Sequence, residues 1–259
     1  VEDERRMKIA IFRPEAEAAE SMRLCSEAGL EPVAFRLMET VPLRFDSDAL
    51  LSALIGARIA VFMSCTAVCI LLDSLPESKT ELMGKDAVAV GSSTAACLLG
   101  KGIHSHIPPE FSSRGLAAYM TQKWKPCDVA VFRSARGNSL LRDHLEKASF
   151  RVQEFALYDI RKNPDSDVGR LLDMIRSGQR LILPFTSSMM ALFFIEEMRA
   201  SSMDWSMLKG CCIWAIGPET AETLRKGGAE AVRTASVSDF RIMLAEIKGA
   251  LASSGDLFP

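Results

Sequence analysis

The chain writes one strand–turn–helix sentence twice, and this repetition constrains its fold more than any other feature. "AVGSSTAACLLGKG" (Ala89 to Gly102) and "AIGPETAETLRKGG" (Ala215 to Gly228) share an aliphatic start, a Gly turn, Thr-Ala and a terminal Gly, 126 positions apart (215 − 89). "KIAIFRPEAEAAESMRLCSEAGLEPVAF" from Lys8 parallels "DVAVFRSARGNSLLRDHLEKASFRVQEF" from Asp128 at a spacing of 120 (128 − 8). "VFMSCTAVCILLD" from Val61 is echoed by "PFTSSMMALFFIE" from Pro184 at 123 (184 − 61). An offset that grows slowly, from 120 to 123 to 126, is what small loop insertions leave in a duplicated chain.

Each copy reads as alternating strands and helices. Ile9–Phe12, Ile59–Phe62 and Ala87–Val90 are the strands expected in one set, and Val129–Phe132, Leu181–Phe185 and Ile213–Ile216 are their counterparts. They are short aliphatic runs without polar alternation, as parallel strands covered on both faces require. The segments between them carry helical spacing and stop at Gly29, Gly102 and Gly227-Gly228. The expected fold is α/β, with two similar parallel-sheet domains of flavodoxin-like type.

Two stretches, "FRLMETVPLRF" from Phe35 and "FALYDIRKNPDSD" from Phe155, read as paired crossovers. They predict one discontinuous domain, 1–36 plus 162–259, and a second domain, 42–156. Residues 37–41 and 157–161 are then a two-stranded β-linker, with a cleft between the domains. Sites in such a fold lie beyond the carboxyl ends of the strands.

Composition narrows the function. Hydrophobic residues are 48% of 259 and charged residues 25%, which is globular usage. The net charge of −2 argues against a nucleic-acid coat or an acidic-membrane binder. No apolar run reaches the ~18 residues of a membrane span, and "VEDERRMKIAIF" lacks a signal-peptide core, with Val1–Arg6 read as an extension before Met7. The seven cysteines are odd in number and mostly lie in apolar segments, so they read as reduced core residues of a cytoplasmic protein. Vicinal Cys211-Cys212 suits no ordinary disulfide, and Cys65-x3-Cys69 has no second pair to make a zinc site.

The chemistry sits at the turns. "MSCT" offers Ser64 and Thr66, "GSST" offers Ser92, Ser93 and Thr94, "TSSM" offers Thr186, Ser187 and Ser188, and "GPET" offers Pro218 and Thr220. A Ser or Thr hydroxyl can cap a helix while the first-turn N–H groups point outward as anion donors. Four such turns suit a ligand with carboxylates spread over a wide perimeter. A single cap is more often only a cap, so the duplicated placement carries the argument. No GxGxxG or P-loop follows a first strand, which leaves classical dinucleotide and nucleotide sites without support. His104-x-His106 reads as a solvated loop, His144 as a helix residue without a triad, Cys65 as structural, "SMMALFFIEEM" as a helix with a packed apolar face, and "SSGDLFP" as a frayed tail.

Taken in order, the Arg closing the first strand, Ser/Thr after the second, "VGSSTA", a central Arg-Gly, "FTS" and "IGPETA" resemble the uroporphyrinogen-III synthase family, from about Lys8 to about Ile247. The resemblance implies two α/β domains joined by a β-ladder and a monomeric, cofactor-free and metal-free lyase of tetrapyrrole biosynthesis. Such an enzyme dehydrates and cyclises hydroxymethylbilane to uroporphyrinogen III with inversion of ring D, and a transient handover from hydroxymethylbilane synthase follows. It assigns Tyr158 to assisting the departing hydroxyl, and Ser64, Thr94, Ser187 and Thr220 to the substrate's acetates and propionates. Arg13 and Arg133 end equivalent strands and face carboxylates in this reading, with surface ion pairing as the plainer alternative. Where the family carries Gly-Arg, this chain has Arg136-Gly137-Asn138, and "FTSSMM" lacks the family's proline. The rival reading is a non-catalytic bilobal protein that binds or senses a polycarboxylated small molecule.

Overall fold

The computed structural model describes residues 7–13 and 15–253. The readings of Val1–Arg6 as an extension and of 254–259 as a frayed tail lie outside them; Ser253 is still helical. In chain order the first elements are β1 (Lys8–Ile11), α1 (Glu15–Glu27), β2 (Glu31–Ala34), β3 (Met38–Pro42), α2 (Ser47–Gly56), β4 (Ile59–Phe62) and α3 (Cys65–Ser74). Next come α4 (Ser78–Met83), β5 (Asp86–Ala89), α5 (Ser92–Gly100), α6 (Ser113–Lys123), β6 (Asp128–Ser134), α7 (Leu140–Lys147) and β7 (Arg151–Lys162). The chain ends with α8 (Val168–Arg176), β8 (Leu181–Phe185), α9 (Ser188–Ala200), β9 (Cys211–Ala215), α10 (Pro218–Lys226), β10 (Val232–Thr234) and α11 (Phe240–Ser253). No helix among the described residues is long and apolar enough to cross a membrane.

The chain divides into two compact units: one runs to Glu39 and resumes at Arg161, and the other is Thr40–Ile160. The first carries the sheet β10-β9-β8-β1-β2. Its recorded pairings are all parallel. Counted along the chain this is the 5-4-3-1-2 order of a flavodoxin-like sheet. The second sheet runs β3-β7-β6-β4-β5. With β6 in the place of β1, β7 of β2, β4 of β8 and β5 of β9, it repeats the first. The chain order is permuted by the crossovers. At the position of β10 the second sheet has only a parallel bridge, Val88 to His106.

This bridge corrects the solvated-loop reading of His106. Its backbone pairs with the sheet through Ala87 and Ala89, and its ring lies edge-on to Trp124 and 3.6 Å from Asp86. The crossovers pair at the sheet edge. Leu43 N–H donates to Leu157 C=O and Asn163 N–H to Leu37 C=O, so the two segments run in opposite senses.

The duplication extends to the core. In the first unit Phe12 stacks on Phe185 at 5.5 Å and faces Phe35 at 6.2 Å. In the second, Phe132 stacks on Phe62 at 5.1 Å and on Phe155 at 5.8 Å. Offsets of 120 and 123 relate these residues pairwise. The expected glycine stops hold: Gly29, Gly102 and Gly228 have φ of 85°, 82° and 110°. Ser149, the counterpart of Gly29, is forced to the same left-handed region at φ 66°. As expected, α9 buries Met190, Phe193, Phe194, Ile195 and Met198.

Candidate active site

In a flavodoxin-like sheet the ligand crevice opens where the strand order reverses, outside the carboxyl ends. In the first unit that point lies between β1 and β8, which deliver Arg13 and Thr186–Ser187. In the second it lies between β6 and β4, which deliver Arg133–Ser134 and Ser64. Of the sequence-selected residues, Arg13, Thr186 and Ser187 in the first unit and Arg133 and Ser64 in the second follow the strands that flank the switch point, whereas Ser92, Ser93, Thr94, Pro218, Thr220 and Tyr158 follow or lie on neighbouring strands.

The helix starts come in two matched types. Ser64 caps α3 and Ser187 caps α9. Their backbones are alike (φ −165°, ψ 159° and φ −161°, ψ 155°), and their hydroxyls accept from Ala67 N–H at 3.0 Å and Met190 N–H at 3.1 Å. At α5 and α10 the capping residues are Gly91 and Gly217, both with extended backbones and neither with a side-chain cap bond. This corrects the expectation that Ser92, Ser93, Thr94 or Thr220 caps these helices.

Ser92 and Ser93 instead occupy the exposed first turn of α5, and Pro218 begins α10. Thr94 and Thr220, each third in its helix, are only 3% and 4% exposed. A Cβ at Gly217 would stand 2.6 Å from Ser238 Oγ, so that hydroxyl would have to turn aside. The absent side chain of Gly217 leaves the first-turn amides without a cap of their own, the arrangement that receives anions. The two are unequal. Pro218 has no N–H and Glu219 adds negative charge to the start of α10, whereas α5 begins with three N–H donors and no acid.

Tyr158 enters through a β-bulge. β6 and β7 pair in register up to Arg133–Ala156; the next pair is Ser134–Tyr158, so Leu157 is the extra residue. A bulge re-aims the side chain that follows it. Tyr158 is 5% exposed, and its phenol lies 2.8 Å from Ser64 Oγ. Ser64 thus couples the α3 start to the phenol through one hydroxyl.

The arginines diverge between the copies. Arg133 is 11% exposed and ion-paired with Glu154, which also faces Arg142 at 3.4 Å. Its guanidinium occupies the space a Cβ on Gly137 would need. The position equivalent to Glu154 is Ala34 (154 − 120), which offers no carboxylate. Arg13 instead lies over the Phe240 ring at 4.8 Å, in a small concavity with Phe12, Pro184, Thr186 and Met190. Thr186 Oγ1 points to the Met190 sulfur at 3.8 Å. Arg136 donates to Asp159 at 2.9 Å, beside Tyr158. Ser188 and Thr66 lie in the half-buried first turns of α9 and α3.

The cysteines need a second correction. Cys25, Cys211 and Cys212 are buried, and burial pushes the Cys25 and Cys211 thiols up to about 12. Cys65 and Cys97, however, form a disulfide, with Cys69 Sγ 3.7 Å from Cys97 Sγ. The i,i+4 spacing of Cys65 and Cys69 puts both on one helix face and was legible; the third sulfur, from α5, was not. Glu154, Asp159 and Phe240 were also missed, because each acts through a neighbour remote in sequence, and Gly91 and Gly217 were read as turns but not as caps.

The sequence model of the family described as "Uroporphyrinogen-III synthase HemD" matches residues 19–245. A protein of Archaeoglobus fulgidus named "Putative uroporphyrinogen-III synthase" is 26% identical over 225 residues, which cover 87% of this chain and 91% of that protein. In fold, the chain is similar to a crystal structure of uroporphyrinogen III synthase from Thermus thermophilus, with a TM-score of 0.61, 19% identity, and coverage of 96% of this chain and 100% of that one. The Helicobacter pylori uroporphyrinogen-III synthetase structure matches with a TM-score of 0.61 and 17% identity, covering 95% of this chain and 99% of the other. The chain belongs to the uroporphyrinogen-III synthase family.

Proposed function

We infer that this chain is a uroporphyrinogen-III synthase, a cyclising lyase that removes water from hydroxymethylbilane and closes it to uroporphyrinogen III with ring D inverted. The observation that carries the reading is the family match across residues 19–245. Carboxylates of the substrate engage the glycine-started helix α5 and, more weakly, α10, with Arg13 adding charge in the first unit. Holding a flexible octacarboxylate in one conformation is catalysis by positioning.

The chemical step needs a proton for the departing hydroxyl. Ala67 N–H donates to Ser64 Oγ. With Ser64 O–H donating in turn to the Tyr158 oxygen, the phenol proton is directed at the leaving group. Hydrogen bonds in such a chain strengthen one another. Tyr158 is then the general acid and Ser64 its positioning partner. Thr66, Ser92, Ser93, Thr94, Thr186, Ser187, Ser188, Pro218 and Thr220 frame the carboxylate sites, and Arg136 orients the strand bearing Tyr158 through Asp159. Arg133, committed to Glu154, contributes positive potential rather than direct contact. The same reading takes the chain as a monomeric cytoplasmic enzyme supplied by hydroxymethylbilane synthase, with 1–36 plus 162–259 and 42–156 as its domains and 37–41 and 157–161 as linkers.

The test generates hydroxymethylbilane in situ, adds the protein, oxidises, and resolves porphyrin isomers I and III by chromatography. Predominant isomer III is expected. Isomer I alone, from protein with a native circular dichroism spectrum, overturns the enzyme reading in favour of a carboxylate-binding protein.

A further inference from the structure

Cys65, Cys69 and Cys97 place their sulfurs within 4.8 Å of one another, and no His, Asp or Glu joins them among the described residues. Cys65 opens α3, Cys69 follows one turn later on the same face, and Cys97 comes from α5. Three thiolates each ~2.3 Å from a shared ion stand about 4 Å apart, close to the 3.7 Å between Cys69 and Cys97.

We propose that these three cysteines form a copper(I)-type site, open when reduced and closed by the Cys65–Cys97 disulfide. Three sulfur donors without a fourth protein ligand among the described residues suit a soft monovalent ion, whereas zinc keeps a fourth ligand, a side chain or a water. Opening requires a dithiol reductant. Two electrons pass to the Cys65 and Cys97 sulfurs, which leave as thiols, and the reductant becomes the disulfide. Copper(I) then displaces up to three thiol protons.

The inference does not depend on the synthase reading. Anaerobic, dithiol-reduced protein is titrated with copper(I) against a competing chelator, following the thiolate-to-copper absorption. Alkylated cysteines are counted by mass spectrometry. One copper(I) per chain and three cysteines newly protected from alkylation are expected, with none bound there by the disulfide form. Cys69→Ser and Cys97→Ser, each checked for native circular dichroism, should compete at least about tenfold less well, since even outer-shell changes cost that much. Unchanged stoichiometry and competition in both variants, no binding by the reduced wild type, or zinc held in preference to copper(I) would each overturn the assignment.

Discussion

Ser64 and Ser187 form an internal control for the value of the contact to Tyr158. Both cap a helix with nearly the same backbone geometry and the same acceptor bond, but only Ser64 also meets a phenol. Ser187→Ala removes a cap alone, at about 1 kcal/mol. Ser64→Ala removes the cap and the hydroxyl pair with Tyr158, which is only 5% exposed, adding about 1 kcal/mol. Because the two serines lie in different units, one global unfolding free energy would blur the comparison. Hydrogen exchange by mass spectrometry on peptides covering α3 and α9 reads each locally. Protection should fall about fivefold over α9 in Ser187→Ala and about thirtyfold over α3 in Ser64→Ala. Tyr158→Phe should cost α3 about 1 kcal/mol alone and nothing further in the Ser64→Ala background. Equal losses in the two serine variants, or full additivity with Tyr158→Phe, would refute the coupling.

In the isomer assay Tyr158→Phe should slow formation of uroporphyrinogen III about a hundredfold while circular dichroism stays native, and an unchanged turnover would remove Tyr158 from the chemistry. Arg133→Met leaves the half-buried Glu154 with Arg142 alone and should lower the urea midpoint by the equivalent of about 2 kcal/mol; Arg13→Met should raise KM with a smaller loss of stability, and the reverse pattern would exchange their roles. Ser149→Gly should add about 0.5–1 kcal/mol by relieving φ 66°, and Gly29→Ala should cost about 1 kcal/mol through backbone strain alone, since its Cβ would meet nothing within 4 Å; both are read from denaturant midpoints. The buried thiols of Cys25 and Cys211 keep their protons to about pH 12, whereas the unfolded chain releases them near 9, so stability should fall as pH rises between those values, by about 1.4 kcal/mol per unit for each thiol. Urea midpoints against pH should flatten in Cys25→Ala and Cys211→Ala, and an unaltered slope would contradict the account.

What the sequence made legible was whatever a short window encodes. Strands β4 and β8 match the expected runs to the residue, and the glycine stops turn as expected, because aliphatic runs and left-handed stops are local. β10 escaped notice because three residues, "VRT", carry no pattern of their own and pair only because β9 lies alongside. Gly91 and Gly217 were visible as turns but not as caps, since capping depends on where the backbone enters the helix. The third cysteine was out of reach for a further reason. Cys97 meets Cys65 only because β4 and β5 pair in parallel, which sets α3 against α5.

The duplication also explains where the two copies had to part. It supplies two equal scaffolds, down to the stacked phenylalanines. A reaction that inverts one pyrrole ring of four needs unlike surfaces. The copies differ in sequence at these places: Arg133 is ion-paired with Glu154, whose equivalent in the first unit is Ala34, and α10 begins with Pro218-Glu219 where α5 begins with Ser92-Ser93. The bulge at Leu157 completes the asymmetry, because it brings Tyr158 to Ser64 in one unit, whereas the other unit contains no tyrosine of its own.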